Sequence, residues 1–373
     1  MANIPTIVVN DQSESEPIYP NREVGKPVLI IGDAGFTGDN TKIYTFNNYN
    51  QARQDHTTTE GIGPEPEDWI DNPLLQAVKD VFSEGGIRSF TDEGGIDTVY
   101  AINIGPAATV TDYEEAIETS ETIKGETVEL YPGLSDAAII TAILPHLNSL
   151  EKTGNDRIAV FTAPPETTKA DLLLISSSEE GGAEIRNSKA AFHTNPAMQA
   201  ALAAKIARTP YYLDPALGKY RSKNNSDLQY WNKEDLDDLV GAGLIADWIG
   251  PDGIEPCMAV STGYAELNGE RRVDGLLHHK LNVNHQTAEL IKIVKRFVKK
   301  NNTLTARENA EQGCISHLEN EKLNERLEDY VFSLEAPDAY TLKIIADFRP
   351  IGATYYINIT RTIKTPTGTV EEA

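Results

Sequence analysis

The stretch Val28-Leu-Ile-Ile-Gly-Asp-Ala-Gly-Phe-Thr-Gly38 runs four consecutive branched apolar residues into a turn punctuated by glycine. Val28–Ile31 lacks the alternation of a strand with one wet face, so it reads as a strand buried on both sides, the kind found in parallel sheets covered by helices. The sequence that follows keeps this pattern. Asn72–Phe82 has helical spacing at Leu75, Val78 and Phe82 behind an Asn72-Pro73 opening, and Thr98–Ile104 is again strand-like. Helices over Asp112–Ile123 and Ser135–Leu150, a strand over Arg157–Thr162, helices around Asn195–Ala207 and Asn232–Ile245, and the apolar run Cys257–Val260 continue the alternation. The spacing predicts an α/β region with a largely parallel sheet over residues 26–262.

Both ends differ from this middle. Residues 1–25 carry a β-prone run with Ile4, Ile7, Val8 and Val9, then the polar stretch Asn10–Pro20 with acids at Asp11, Glu14 and Glu16, which reads as a strand on a tether. Residues 263–363 read as a separate α+β unit. Its helices are expected at His285–Asn302 and Glu319–Asp329, and its two strands at Tyr340–Phe348 and Thr354–Ile363, joined by a turn at Arg349–Ala353. The last strand alternates, with Tyr355, Ile357, Ile359 and Ile363 on one face, and residues 364–373 form a loose polar tail.

Composition narrows the function. The 373 residues are 40% hydrophobic and 24% charged, which suits a multi-domain globular chain. No apolar run is long enough to span a bilayer, and the first 21 residues lack the charged and apolar regions of a secretory signal. Fifty-seven acids against 33 bases give a net charge of −24, a field that repels phosphate backbones and anionic lipid, so neither nucleic acid nor membrane is an expected partner. Two cysteines, Cys257 and Cys314, are too few for a disulfide framework or a cysteine-built zinc site.

Candidate chemistry is sparse. The Gly32–Gly38 turn has the look of a dinucleotide-binding loop, and an NAD(P)-dependent oxidoreductase or epimerase built on it is the competing reading. A phosphate cradle there needs a helix starting at the third glycine. Asp39–Asn50 instead has neither helical spacing nor helix formers, and Asp33 and Asp39 would set negative charge beside the phosphates. His278, His279 and His285 form one histidine group; adjacent residues of an extended segment point apart, so surface or interface histidines are expected rather than zinc ligands. No GxSxG elbow occurs, and no catalytic, cofactor or metal residues are assigned.

The conspicuous feature is Leu290–Arg307, which holds Lys292, Lys295, Arg296, Lys299, Lys300 and Arg307, with no acid between Glu289 and Glu308. On a helix, positions 292, 295, 296 and 299 make one basic face opposite Leu290, Ile293, Val294 and Phe297. A same-sign face in so acidic a chain predicts an acidic docking partner.

In order along the chain, these features resemble the contractile tail sheath proteins of tailed phages and related injection machines. The carrying residues are Asn282–Asn301, the Gly313-Cys314-Ile315 region and Leu342–Ile359, with support from Pro27–Gly38, from Gly85-Gly86 ahead of Thr98–Ile104, and from Asp156–Pro165. The last is similar to the family's R-x-A-V-x-D-x-P strand, with Thr162 where an acid is more usual. Gly181–Lys223 matches poorly and is assigned to a variable outer part. The resemblance implies a non-enzymatic subunit without a cofactor, assembled in the host cytoplasm and residing in the virion tail. It implies hexameric rings stacked helically around a tail tube protein, with baseplate and tail-terminator proteins as further partners. It also implies that the N-terminal arm (Ile4, Ile7, Val8, Val9) and the last strand (Tyr355, Ile357, Ile359, Ile363) complete sheets in neighbouring subunits, and that Lys292, Lys295, Arg296, Lys299 and Lys300 face the tube.

Overall fold

A computed structural model describes residues 25–55, 61–66, 71–86, 95–151, 155–176, 185–224, 229–250, 253–264, 275–297, 303–335 and 342–351. The expected strand exchange residues Ile4, Ile7, Val8, Val9, Tyr355, Ile357, Ile359 and Ile363 lie outside them, as do Lys299 and Lys300.

The quoted stretch begins with β1 (Val28–Gly32), whose five residues are all buried. The chain continues through β2 (Tyr44–Phe46), a short α1 (Tyr49–Ala52), α2 (Pro73–Gly85), β3 (Val99–Asn103), α3 (Val110–Ser120), β4 (Thr127–Leu130), α4 (Ala137–Glu151) and β5 (Arg157–Thr162). Then come α5 (Lys169–Ser176), β6 (Ala190–His193), α6 (Gln199–Arg208) and α7 (Lys233–Gly241). These make a six-stranded sheet in the order β2-β3-β1-β4-β5-β6, parallel throughout except for the antiparallel edge strand β2.

Alternate residues of β1 feed two cores. Val28 and Ile30 pack with Leu75, Val78 and Val81 of α2 and Leu202 and Ile206 of α6. Leu29 and Ile31 pack on the opposite face with Tyr113 and Ile117 of α3, Ile143 and Leu147 of α4, and Leu239 of α7. Helices therefore cover both faces, which is why the strand sequences show no polar alternation. The N-terminus of α2 is set as its sequence predicts: Asn72 accepts from the Leu75 amide at 2.8 Å, and Pro73 occupies the first turn.

Past Ala246 the chain forms a hairpin, β7 (Asp247–Gly250) with β8 (Gly253–Pro256), then α8 (Leu277–Lys295), α9 (Leu304–Leu323), β9 (Leu327–Glu335) and β10 (Lys343–Pro350). Three expectations are corrected here. The first of these helices starts at Leu277 rather than His285. The second spans Leu304–Leu323 instead of Glu319–Asp329, because the chain turns at Asn324–Arg326 and re-enters as a strand. Finally, β10 runs on through Pro350 and pairs antiparallel with β9, Lys343 opposite Glu335 and Phe348 opposite Tyr330, so its described partner precedes it in sequence.

Helix α8 belongs to two cores. Leu277 and Leu281 complete the layer beneath α6, whereas Leu290 and Val294 pack with Cys314 and Leu318 of α9 and Leu327 of β9 in a third cluster. In the described part of Gly181–Lys223, every residue of α6 is buried, and β6 is a fully buried edge strand.

Candidate assembly interfaces

The turn after β1 is held by Asn103 at the end of β3. Its Oδ1 accepts from the amides of Ala34 at 3.0 Å and Gly105 at 2.9 Å, and its Nδ2 donates to the Phe36 carbonyl at 3.4 Å. Gly35 donates to the Asp33 carboxylate at 2.7 Å. The glycines allow backbone to press on backbone: a Cβ on Gly38 would lie 2.3 Å from the Ile104 carbonyl carbon, and one on Gly35 would lie 2.0 Å from the Asp71 carbonyl oxygen at φ +77°. The next long helix, α2, begins only at Pro73. The amides a phosphate would need at Ala34 and Gly35 are committed to Asn103 and Asp33, and no helix dipole stands behind them. This geometry does not favour the nucleotide reading.

The histidines are also placed differently from expectation. His278 and His279 sit in the first turn of α8, not in an extended segment, with their rings edge-on and centroids 4.2 Å apart. His278 is 3% exposed rather than on the surface, and burial, with the neighbouring charge of His279, pushes its pKa down to about 3. Among the described residues, no group of three or more metal-ligating side chains converges. Burial pushes the thiols of Cys257 and Cys314 up to about 11, which leaves them protonated and unreactive at neutral pH.

Helix α8 presents the basic face. Lys292, Lys295 and Arg296 are exposed, while Leu290 and Val294 beneath them are buried. Lys292 pairs with Glu289 one turn earlier, so one carboxylate offsets part of the face. Lysines in the last turn also suit the negative end of the helix dipole, a local reason for some of this charge.

Behind that face, α8 is pinned by a polar joint that the sequence did not reveal. Tyr211, in the loop after α6, stacks on His285, and its hydroxyl donates to Glu321 of α9 while accepting from Arg326 at 2.9 Å. Gln286 bonds Glu321 at 3.0 Å, and His317 lies 2.8 Å from the Gln286 side-chain oxygen. On the sheet side, His285 Nδ1 lies 3.3 Å from the Glu126 carboxylate. Burial would raise the Glu126 pKa, but the hydrogen bond from His285 and the charges of Lys26, His285 and Lys292 hold it below its ordinary value. The members come from positions scattered between 26 and 326, so no local spacing could announce them.

The β9–β10 ribbon packs one apolar face on α8 and α9 through Tyr330, Phe332, Leu334, Ile344, Ala346 and Phe348, all only half-buried. Val331 stands 64% exposed on its other side.

No family model matches the chain, and no curated protein matches it by sequence. Solved structures match its fold over most of its length. The contracted sheath of the extracellular contractile injection system PVC superposes with TM-score 0.64 at 15% identity, covering 91% of this chain and 92% of that one. The contracted helical sheath of the anti-feeding prophage gives TM-score 0.62 at 12% identity, covering 91% and 94%. A sheath tail protein from Desulfitobacterium hafniense gives TM-score 0.60 at 9% identity, covering 89% and 98%. The chain thus has the fold of contractile sheath proteins, the class its C-terminal segments resemble.

Proposed function

We propose that the chain is the repeating subunit of a contractile sheath, stacked as hexameric rings around a tail tube and contracting to drive that tube through an envelope. The observation that carries the reading is the end-to-end likeness of fold, about nine-tenths of both chains, to the sheaths of two injection systems. Residues 26–262 would form the outer and middle part, residues 263–363 the inner part, and residues 1–25 the exchanged arm. Ile4, Ile7, Val8 and Val9 at one end and Tyr355, Ile357, Ile359 and Ile363 at the other would add strands to neighbours. The half-buried ribbon supports this, since a two-stranded sheet is marginal alone and strand addition would extend it. Lys292, Lys295, Arg296, Lys299 and Lys300 would meet an acidic tube surface through pairs weak enough to release. A baseplate and a tail terminator would close the two ends of a polymer built in the host cytoplasm and carried in the virion tail.

Negative-stain electron microscopy of the purified chain at rising concentration, with and without a tube, tests this. Hollow ring-stacked tubes are expected; closed dimers or monomers under both conditions would refute the reading.

A further inference from the structure

Four of the chain's seven histidines, His278, His279, His285 and His317, lie on helix α8 or against it. This helix joins two cores, with Leu277 and Leu281 beneath the parallel sheet and Leu290 and Val294 packed on α9. His278 is in its first turn and 3% exposed. That turn has no side-chain cap and no acid, so the positive end of the helix dipole opposes any positive charge on the ring. Around the ring stand His279, edge-on at 4.2 Å, and the Asp214 carboxylate, 3.6 Å from Nδ1 and beyond hydrogen-bond reach. Asp214 favours a proton, but burial and the charge of His279 outweigh it, and the pKa falls to about 3 from the ordinary 6.5.

His317 approaches α8 from α9. Gln286 donates its amide nitrogen to Glu321 at 3.0 Å, which turns its oxygen toward His317 Nε2 at 2.8 Å. Nε2 therefore carries the hydrogen of the neutral ring, and a second proton would enter at Nδ1. Burial pushes the His317 pKa down, and the charges of Glu321 and Glu289, which favour the proton, are countered by His285 and Arg326. Burial would raise Glu321, but hydrogen bonds from Tyr211 and Gln286 and the charges of Arg326 and His317 hold it below 4.5. Glu126 is also held below that value, so between pH 5 and 7 the groups that change charge at this seat are histidines. His285 acts in the opposite sense to the other two, because a proton there would pair with Glu126 at 3.3 Å.

We propose that α8 is seated by a proton-operated catch: with His278 and His317 neutral the helix is held under the sheet and against α9, and mild acid frees it while the six-stranded sheet stays folded. The sign follows from which state takes the proton. Below pH 6.5 an opened state binds protons that the seated state refuses, so seating weakens as pH falls. His278 alone gives the scale: with a ring at 6.5 when opened and about 3 when seated, opening is favoured about 30-fold at pH 5 relative to pH 7.5. The catch belongs to one subunit and holds whether or not the chain polymerises.

The test is hydrogen exchange of the full-length chain, kept dilute, at pH 7.5 and pH 5.0, read by mass spectrometry and corrected for the intrinsic pH dependence of amide exchange. Amides of α8 should lose protection about 30-fold or more, and those of β1 much less. The double variant His278→Asn with His317→Gln keeps hydrogen-bonding groups that cannot take the charge, and its α8 should hold nearly the same protection at both pH values. Equal loss in α8 and β1, no loss in α8, or a loss in the double variant as large as in the wild type would overturn the proposal. Ring NMR of the wild type keeps the test open if the double variant does not fold. A His278 ring still neutral at pH 5, with His317 titrating below 6.5, supports the catch, and any other pair of titrations overturns it.

Discussion

The phenol of Tyr211 and the imidazole of His285 lie face to face, ring centroids 3.7 Å apart and planes 8° apart. This contact joins the loop after α6 to the middle of α8, and the Tyr211 hydroxyl carries the joint on to Glu321 and Arg326. Tyr211→Phe keeps the stack but removes a partner from a buried carboxylate, at an expected cost of about 1–3 kcal/mol. Tyr211→Leu also loses the ring and should cost more. Urea unfolding measures both; a neutral Tyr211→Phe would mean that Gln286 and Arg326 satisfy Glu321 without it.

A second test concerns the buried pair Glu129 and Arg157, both wholly inaccessible, with Nη1 2.5 Å from Oε1. Burial would push the Glu129 carboxyl up, but Arg157 and His146 outweigh it and hold its pKa at about 2, below the ordinary 4.5. Between those values the unfolded chain takes up a proton that the folded chain refuses. This contribution is therefore complete above about pH 4.5 and is lost as pH falls toward 2. Glu129→Gln should flatten that acid limb in pH-dependent unfolding. Arg157→Met strands a buried charge and should cost about 3–5 kcal/mol at neutral pH, with part of the loss recovered when Glu129 is also made apolar.

At the turn after β1, Gly38→Ala forces a Cβ against the Ile104 backbone. A loss of about 1–3 kcal/mol is expected, the usual cost of overpacking. Calorimetry of the unmodified protein with NAD(H) or NADP(H) should show no binding heat. Measurable affinity, abolished by Gly35→Val, would restore the nucleotide reading.

Reversing Lys292, Lys295 and Arg296 to Glu changes exposed side chains, so the fold should persist, but it breaks the Lys292–Glu289 pair and sets acids at the negative end of the helix dipole, so the thermal midpoint should fall by a few degrees. Assembly around a tube should weaken, and the difference from wild type should shrink as salt rises. Cosedimentation with tubes across a salt series measures this. Unchanged cosedimentation would leave the face a solvated helix end.

Deleting residues 1–21 or 354–373 should leave the six-stranded sheet folded by circular dichroism while abolishing polymerisation. Tubes from either truncation would contradict strand exchange.

The sheet was legible in the sequence where side chains and backbone agreed. Arg157–Thr162 is a strand with the bounds its apolar run predicts, and the Asn72-Pro73 signal marks the start of α2. β4 escaped because Glu129 interrupts its apolar pattern, and the groups that make that charge tolerable in a core include Arg157, 28 residues on, and His146, both remote in sequence. α9 escaped for a different reason: it buries only Ala310, Cys314, Leu318 and Glu321, too thin a stripe to stand out among its polar residues. The strand after it carried a usable signal in the alternation Tyr330, Phe332, Leu334. At the candidate interface, Lys292, Lys295 and Arg296 could be found by spacing alone, whereas the joint that anchors their helix is assembled from five separate regions of the chain.

That one helix serves two cores has a mechanical meaning. α8 is 19 residues long, about 28 Å from end to end. A pull applied at Lys295 passes along its axis into Leu281 and Leu277, wedged under the parallel sheet, with the Tyr211 joint acting as a lateral brace halfway. The helix is thus a strut, stressed lengthwise by anything that grips its basic end, and the ribbon beside it travels with the strut.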